Sequence, residues 1–154
     1  MNLEEPLPLD FRHGSWATID PGAHTAICYW QDGEVVEREI FNNFFVHPPF
    51  SLLKSKYGNC KIIIEGVELW GSSAISYASG TSGDLFKLAY TVGCLITLFR
   101  EINCLVYIVS PRRWKGQLDY KKLRHILESF FQFEAKNDHE ASAYGIGLWA
   151  KGVF

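Results

Sequence analysis

Residues 16–30 read WATIDPGAHTAICYW, an apolar run that ends in Asp20, a Pro-Gly turn and a second apolar run. Apolar runs of this length, separated by turn residues, are typical of neighbouring β-strands. A carboxylate at the end of such a strand is either a solvated turn residue, because Asp readily bonds to its own backbone, or a ligand held on a rigid element. The local sequence leaves both alternatives open for Asp20.

The length and composition indicate one well-cored domain. The chain has 154 residues, of which 47% are hydrophobic, enough for one core and too few for two ordinary ones. We expect residues 1–14 to form a flexible leader and residues 15–154 a single domain. The acidic, proline-bearing N-terminus does not resemble a secretory signal, and no apolar run approaches the roughly 18 residues of a membrane span. We therefore expect a soluble cytoplasmic protein without a membrane partner.

The charge is unevenly distributed. The net charge of −2 argues against non-specific coating of nucleic acid. Residues 112–125, RRWKGQLDYKKLRH, nevertheless contain six basic residues and one acidic residue. This polarity suits a protein that binds a polyanion on one face and holds cations near carboxylates on another. The alternative is a solvated basic face. The four cysteines are widely spaced in apolar runs, which predicts buried thiols and neither a zinc site nor a disulfide framework.

The order of predicted elements is that of a mixed α/β domain. Residues 16–40 predict a three-stranded antiparallel meander with an Asp32-Gly33 hairpin turn. A short helix near residues 50–56, a buried strand that ends in Glu65 and a Gly/Ser-rich loop follow. Helical spacing of apolar residues predicts a long helix to about residue 102. A second buried strand, CLVYIVS, precedes helices near residues 120–131 and 138–150. Such alternation places helices against a sheet.

Acidic residues stand at three element ends. Asp20 ends the first strand, Glu65 ends the fourth, and Asp138, His139 and Glu140 begin the last helix. If the two strands are neighbours, their carboxylates lie close together and repel unless a cation lies between them. Mg²⁺ or Mn²⁺ suits oxygen ligands, and a pair of such ions about 3.5–4 Å apart promotes phosphodiester hydrolysis.

Five stretches in this order carry a resemblance to a known family: ATIDPGAHTA, IIIEGVELW, LFKLAYTVGCL, VSPRRWKGQL and DHEASAYGIGLW. Across residues 16–151 the chain resembles the RuvC-type Holliday junction resolvases of the RNase H-like (retroviral integrase) superfamily, especially the short forms of bacteriophages. The resemblance implies a mixed five-stranded sheet, three antiparallel strands and then two parallel ones, flanked by helices. It also implies a homodimer, paired through the long helix, that cuts four-way DNA junctions with Mg²⁺ or Mn²⁺, two ions being expected, and leaves a 5′-phosphate.

The resemblance also implies roles for individual residues. Asp20 and Glu65 match the family's strand-end metal ligands, and Asp138 and His139 would complete the site. Trp70 falls where resolvases insert an aromatic ring into the opened junction, although a core tryptophan is an equal alternative. Lys115 and Lys121 or Lys122 resemble basic residues at the scissile phosphate, and Gly93 matches a small residue packed on the sheet. The full predicted DNA-binding set is Trp70, Arg112, Arg113, Lys115, Lys121, Lys122 and Arg124.

The last helix departs from the family pattern. Relatives carry H-E-A-D-A or D-x-x-D, whose first and fourth residues share a helix face, whereas this chain has Ser142 at the fourth position after His139. Asp138 could instead be a helix cap, His139 a surface residue and Glu140 a partner of the helix dipole. Three accounts stay open: a competent site in which Ser142 holds a bound water, a degenerate member that binds branched DNA without cutting it, and a chain inactivated by an Asp-to-Ser substitution. An RNase H-like nuclease that acts on RNA is a further alternative.

Overall fold

The computed structural model describes residues 11–41, 50–67 and 83–154. The strands are β1 (Ser15–Asp20), β2 (Thr25–Gln31), β3 (Glu34–Phe41), β4 (Lys61–Glu65) and β5 (Leu105–Val109). The helices are α1 (Phe50–Tyr57), α2 (Asp84–Glu101), α3 (Pro111–Lys115), α4 (Tyr120–Phe131) and α5 (Asp138–Ala150). The meander, the long helix and the last two helices follow the sequence-based predictions closely; the short helix α3 was not predicted.

The strands form one five-stranded sheet in the order β3-β2-β1-β4-β5. β1, β2 and β3 pair antiparallel, while β1, β4 and β5 run parallel. This arrangement confirms the predicted fold class. β1 is the central strand and is buried over residues 16–20, because helices cover both faces of the sheet. Strands covered in this way have continuous apolar sequences, as WATI and KIII show.

The parallel register of β1 and β4 determines where their last residues lie. Ile19 is opposite Ile64, so Asp20 and Glu65 each follow a paired isoleucine at the same edge of the sheet. On the other side of β4, Glu65 is opposite Val109, and the Gly66 amide donates to the Val109 carbonyl at 2.8 Å. The carboxyl ends of the three parallel strands therefore meet at one edge.

Two apolar layers fill the two faces of the sheet. On one face, α3, α4 and α5 pack over Trp16, Trp30 and Ile63. On the other, α2 and Tyr57 pack over Ile19, Ile62 and Ile64, among others. The rings of Trp16 and Trp30 are stacked, with centroids 4.7 Å apart and an interplanar angle of 5°. The close approach of α5 to this stack depends on Gly147, because a Cβ at Gly147 would overlap the Trp30 ring.

Three details differ from the sequence-based expectations. Phe11 is 1% exposed and packs edge-on against Trp16, so residues 11–14 of the predicted leader join the folded domain. Gly93 is exposed on α2, and a Cβ there would meet nothing within 4 Å. The expectation that Gly93 packs on the sheet is therefore wrong, since the buried face of α2 carries larger apolar residues. The cysteines are all free, and Cys94 is only partly buried.

Within the described ranges, none of the helices combines the length and apolar character that crossing a membrane requires.

Candidate active site

Two carboxylates lie at the carboxyl edge of the parallel strands. Asp20 is 3% exposed, and its Oδ2 atom is buried without a hydrogen-bond partner among the described residues. Burial, followed by the nearby charge of Asp20, raises the pKa of Glu65 to about 7. Removing a carboxylate from water disfavours its charged form, and a second carboxylate disfavours it further. The two groups therefore repel in the metal-free protein.

The burial of the Glu65 charge and its repulsion by Asp20 together predict that Glu65→Gln stabilises the metal-free protein. Replacing the carboxylate by a neutral amide of the same shape removes the unfavourable charge pair, and we expect the free energy of unfolding to rise by about 1 kcal/mol, which is roughly 2–4 °C in Tm for a domain of this size. Thermal melts in EDTA at mildly alkaline pH measure the difference. Glu128→Gln on the exposed surface of α4 is the control and should melt with the wild type. An unchanged or lower Tm for Glu65→Gln would show that the charge of Glu65 carries no net cost beside Asp20.

Helix α3 brings two side chains to Glu65. The indole Nε1 of Trp114 donates a hydrogen bond to Glu65 Oε2 at 2.6 Å, and the ammonium of Lys115 lies close enough to oppose the rise in the pKa of Glu65. Lys115 Nζ also lies 3.3 Å from the Tyr120 hydroxyl and 4.4 Å from the centre of the Tyr120 ring. The Lys115 ammonium is thus a positive charge close to the Glu65 carboxylate.

His139 approaches the pair from the start of α5. Its Nδ1 atom is 3.4 Å from Asp20 Oδ1, a distance suited to an ion pair. The adjacent Asp20 carboxylate raises the pKa of His139, and burial opposes this rise. The ring packs on the turn after β1: a Cβ at Gly22 would lie 2.5 Å from His139 Cε1. The glycine of the Asp20-Pro21-Gly22 turn therefore leaves the space that His139 occupies.

The other acidic residues of α5 are held elsewhere. Asp138 is exposed and lies 3.7 Å from Arg124 Nη1, so the structure does not bring it to Asp20. Glu140 is 1% exposed; it accepts from the Lys136 amide at 2.6 Å, and its Oε1 is 3.6 Å from Arg38 Nε.

The beginning of α5 explains this arrangement. Asn137 caps the helix, because its side-chain oxygen accepts from the Glu140 amide at 2.8 Å, the usual N-cap hydrogen bond. The predicted cap role of Asp138 thus falls to Asn137, and Glu140 has a structural partner at each side. Ser142, one turn after His139, is fully buried, and its Oγ has no hydrogen-bond partner in the described part of the chain.

The basic segment is partly engaged within the molecule. Lys122 lies 3.8 Å from Asp119, Arg124 donates to the Ala135 carbonyl at 3.2 Å, and Arg113 lies 5.8 Å from the centre of the Trp149 ring. Arg112 and Lys121 are exposed. Lys115 is the member of the predicted set that the structure places beside the carboxylates. Trp70 lies outside the described residues.

The donor atoms present fit a hard divalent cation. Asp20 contributes a buried oxygen without a partner, and Glu65 contributes a second carboxylate whose charge is unfavourable alone. Mg²⁺ and Mn²⁺ take such oxygens and retain waters in their remaining positions. In the residues that the structure describes, no set of three or more His, Cys, Asp or Glu side chains is gathered closely enough to hold a metal. Asp20 and Glu65 would supply protein oxygens to such a cation.

Trp114 and Tyr120 were missed as site residues by sequence reasoning. Both lie in the segment RRWKGQLDY, for which the sequence predicted only phosphate binding by the basic residues. A usable signal was present: Trp114 follows the end of a predicted parallel strand by a few residues, and the carboxyl ends of neighbouring parallel strands meet at one edge.

Comparison with known structures supports the fold. The structure of T. thermophilus RuvC in complex with Holliday junction substrate is similar, with a TM-score of 0.57 and 15% sequence identity over 88% of this chain and 91% of that chain. No protein-family model and no curated protein matches the sequence. The likeness to the RuvC structure shows that the chain has the RNase H-like fold.

Proposed function

We propose that this chain is a metal-dependent endonuclease that cuts four-way DNA junctions. The observation that carries the proposal is the pair of carboxylates at the carboxyl edge of the sheet, the buried Asp20 and the half-buried Glu65, with His139 near Asp20 and Lys115 near Glu65. The likeness in fold to RuvC in complex with Holliday junction substrate supports this choice of substrate. Resolvase activity also explains why such repelling groups are retained, because stability is commonly sacrificed at functional sites.

The residues divide the reaction between them. Asp20 and Glu65 would hold Mg²⁺ or Mn²⁺, which when bound stabilises the charge that develops on the phosphate during hydrolysis. His139, oriented by Asp20, accepts the proton that the attacking water loses. Lys115 binds the scissile phosphate as a point charge. The water oxygen forms the new bond to phosphorus, the bond to the 3′ oxygen breaks and that oxygen is protonated from solvent, so a 5′-phosphate remains.

Binding of the junction arms is assigned to the basic segment. Arg112, Arg113, Lys121, Lys122 and Arg124 surround Lys115 in sequence, and cations of this kind position a nucleic acid through its phosphates without reading its bases. The role of Trp70 as a wedge that stacks on an unpaired base stays a prediction. The roles of Asp138 and His139 as metal ligands also stay predictions, and Asp138 would first have to leave Arg124. The role of Ser142 as a residue that holds a bound water is a prediction too.

The substrate proposal is tested with three labelled nucleic acids: a four-way DNA junction, a DNA duplex of the same sequence and a structured RNA, each with Mg²⁺ or Mn²⁺. We expect paired, symmetric cuts in the junction and none in the duplex. Preferential cleavage of the RNA would favour an RNA-processing nuclease instead. Tight binding of the junction without cleavage would favour a catalytically silent binder, and the absence of both binding and cleavage would contradict the proposal.

We further propose a homodimer, because a four-way junction is cut at two symmetric points. The outer face of α2 is the proposed contact surface. Phe86 is 75% exposed and Tyr90 59% exposed there, and a groove of about 520 Å³ next to them is lined by Tyr90, Gly93, Cys94, Thr97, Leu98 and Glu101. Exposed apolar surface of this kind marks interaction sites.

This surface predicts that Phe86→Glu weakens the dimer. A charge buried at the contact has no partner, and we expect the dimer dissociation constant to rise by at least about tenfold, equivalent to roughly 1.4 kcal/mol. Sedimentation equilibrium measures the change. Phe130→Glu is the matched control, since Phe130 is also 75% exposed but lies on α4. Equal dissociation constants for the two variants would exclude α2 as the contact surface.

A further inference from the structure

Trp114 is the least expected neighbour of the carboxylate pair. It is 3% exposed, and its single hydrogen-bond donor, the indole N–H, is used on Glu65 at 2.6 Å. An indole N–H donates only and has no alternative role. Hydrogen bonds to a charged acceptor are short and roughly twice as strong as neutral ones. The bond therefore binds one oxygen of Glu65 in a defined position.

The backbone places Trp114 beside Glu65 for a clear reason. β5 ends at Val109, directly opposite Glu65, and α3 begins two residues later at Pro111. The amides of Arg113 and Trp114 both donate to the Ser110 carbonyl, at 3.0 and 3.4 Å. The tight turn at Ser110 thus directs the fourth residue of α3 back over the end of β4.

The ring is fixed from its other side by α5. A Cβ at Gly145 would lie 2.6 Å from Trp114 Cζ3 and 3.3 Å from Leu123 Cδ1. Any larger residue at Gly145 would displace the indole from its seat. A rigid ring that fits against a glycine and donates to a strand-end carboxylate is a built feature of the site, because packing and hydrogen bonding fix the same orientation.

We propose that Trp114 is a positioning residue that orients Glu65 for cation binding and restrains it against repulsion by Asp20. The inference rests on the proposed function, since it assigns Glu65 to a divalent cation. Groups that hydrogen-bond a metal-binding side chain fix its orientation, and their loss typically costs 10–100-fold in metal affinity. Trp114 acts through Glu65 and does not itself touch the substrate.

Trp114→Phe tests the proposal, because it keeps an aromatic ring in the seat at Gly145 and deletes the donor. We expect Mn²⁺ binding, measured by electron paramagnetic resonance without nucleic acid, to weaken by about 10–100-fold, with junction binding in EDTA unchanged. Trp30→Phe is the matched control: Trp30 is equally buried, but its N–H donates at 2.9 Å to the Thr18 hydroxyl. It should bind Mn²⁺ as the wild type does. Equal Mn²⁺ affinity in Trp114→Phe and wild type would overturn the inference.

A second measurement avoids any loss of folding in Trp114→Phe. In a ¹H–¹⁵N spectrum of the metal-free protein, the Trp114 indole resonance should shift when Glu65→Gln removes the charged acceptor, while the Trp30 resonance stays in place. An unmoved Trp114 resonance would also overturn the inference.

Failure of the proposed function gives a different combination of results. If wild type binds Mn²⁺ and Trp114→Phe weakens that binding, but neither protein cuts any nucleic acid, the nuclease proposal fails and the positioning role stands. If wild type binds no Mn²⁺, both fail.

Discussion

We expect Asp20→Asn to lower the rate of the proposed metal-dependent junction cleavage by at least about 10³-fold, equivalent to roughly 4 kcal/mol of transition-state stabilisation. Asn preserves the size of the side chain and removes its charge. Asp20 supplies both a buried oxygen without a partner and the acceptor beside His139, so one substitution weakens cation binding and releases the histidine. Single-turnover cleavage of a labelled junction measures the rate. Gel-shift titration in Ca²⁺ should show unchanged junction affinity, because phosphate contacts and not the carboxylates provide the binding energy.

The control for this result is Asp84→Asn, an exposed carboxylate at the start of α2 that pairs with Lys87. It should cut at the wild-type rate. Full activity in Asp20→Asn would remove the carboxylate pair from the mechanism. A companion variant, Ser142→Asp, separates the accounts of the last helix. If wild type binds the junction and only Ser142→Asp cuts it, the chain is a resolvase scaffold whose last ligand is missing, and His139 does not suffice.

We expect Gly147→Ala to lower the free energy of unfolding by about 3 kcal/mol, near the upper end of the cost of overpacking a core. The new methyl group would overlap the Trp30 ring, and this ring cannot retreat because it is stacked on Trp16 and lies 5.2 Å from the Tyr144 ring. We expect Tm to fall by roughly 6–12 °C for a domain of this size. Thermal melts followed by circular dichroism measure the change.

The same substitution at Gly93 is the matched control, since both glycines are in helices. A Cβ at Gly93 meets no heavy atom within 4 Å, and alanine favours a helix over glycine by about 1 kcal/mol. Gly93→Ala should therefore melt at or above the wild-type temperature. Equal destabilisation of the two variants would mean that close packing of α5 on the sheet is not what Gly147 provides.

Much of the architecture could be predicted because its signals are local. Turn residues and apolar runs place the three strands of the meander, and helical periodicity places α2. The strand-end positions of Asp20 and Glu65 follow from the same runs. α3 was missed because it has five residues, too few for periodicity to appear. The prediction that Gly93 packs on the sheet was wrong because an isolated small residue carries no information about which helix face is buried.

The candidate site could be predicted only in part, because its signals are not local. Its three elements are separated in sequence, and the choice among neighbouring side chains at the start of α5 depends on how that helix docks. Asn137 caps α5, and His139 contacts Asp20. Asp138 instead pairs with Arg124, and Glu140 pairs with Arg38. Nothing in the order Asp-His-Glu indicates this division, because all three residue types can serve as ligands.

The sequence by itself determined the order of strands and helices, the placement of Asp20 and Glu65 at strand ends and the concentration of positive charge in residues 112–125. These properties depend on residues close in the chain, whose side-chain periodicity and turn chemistry are readable without a fold. Only the tertiary structure decided that the Trp114 indole holds Glu65, that His139 fits over Gly22 and that Lys115 is the cation beside the pair. Those choices depend on which surfaces meet when β5, α3 and α5 pack on the sheet, and packing complementarity is a property of distant segments together.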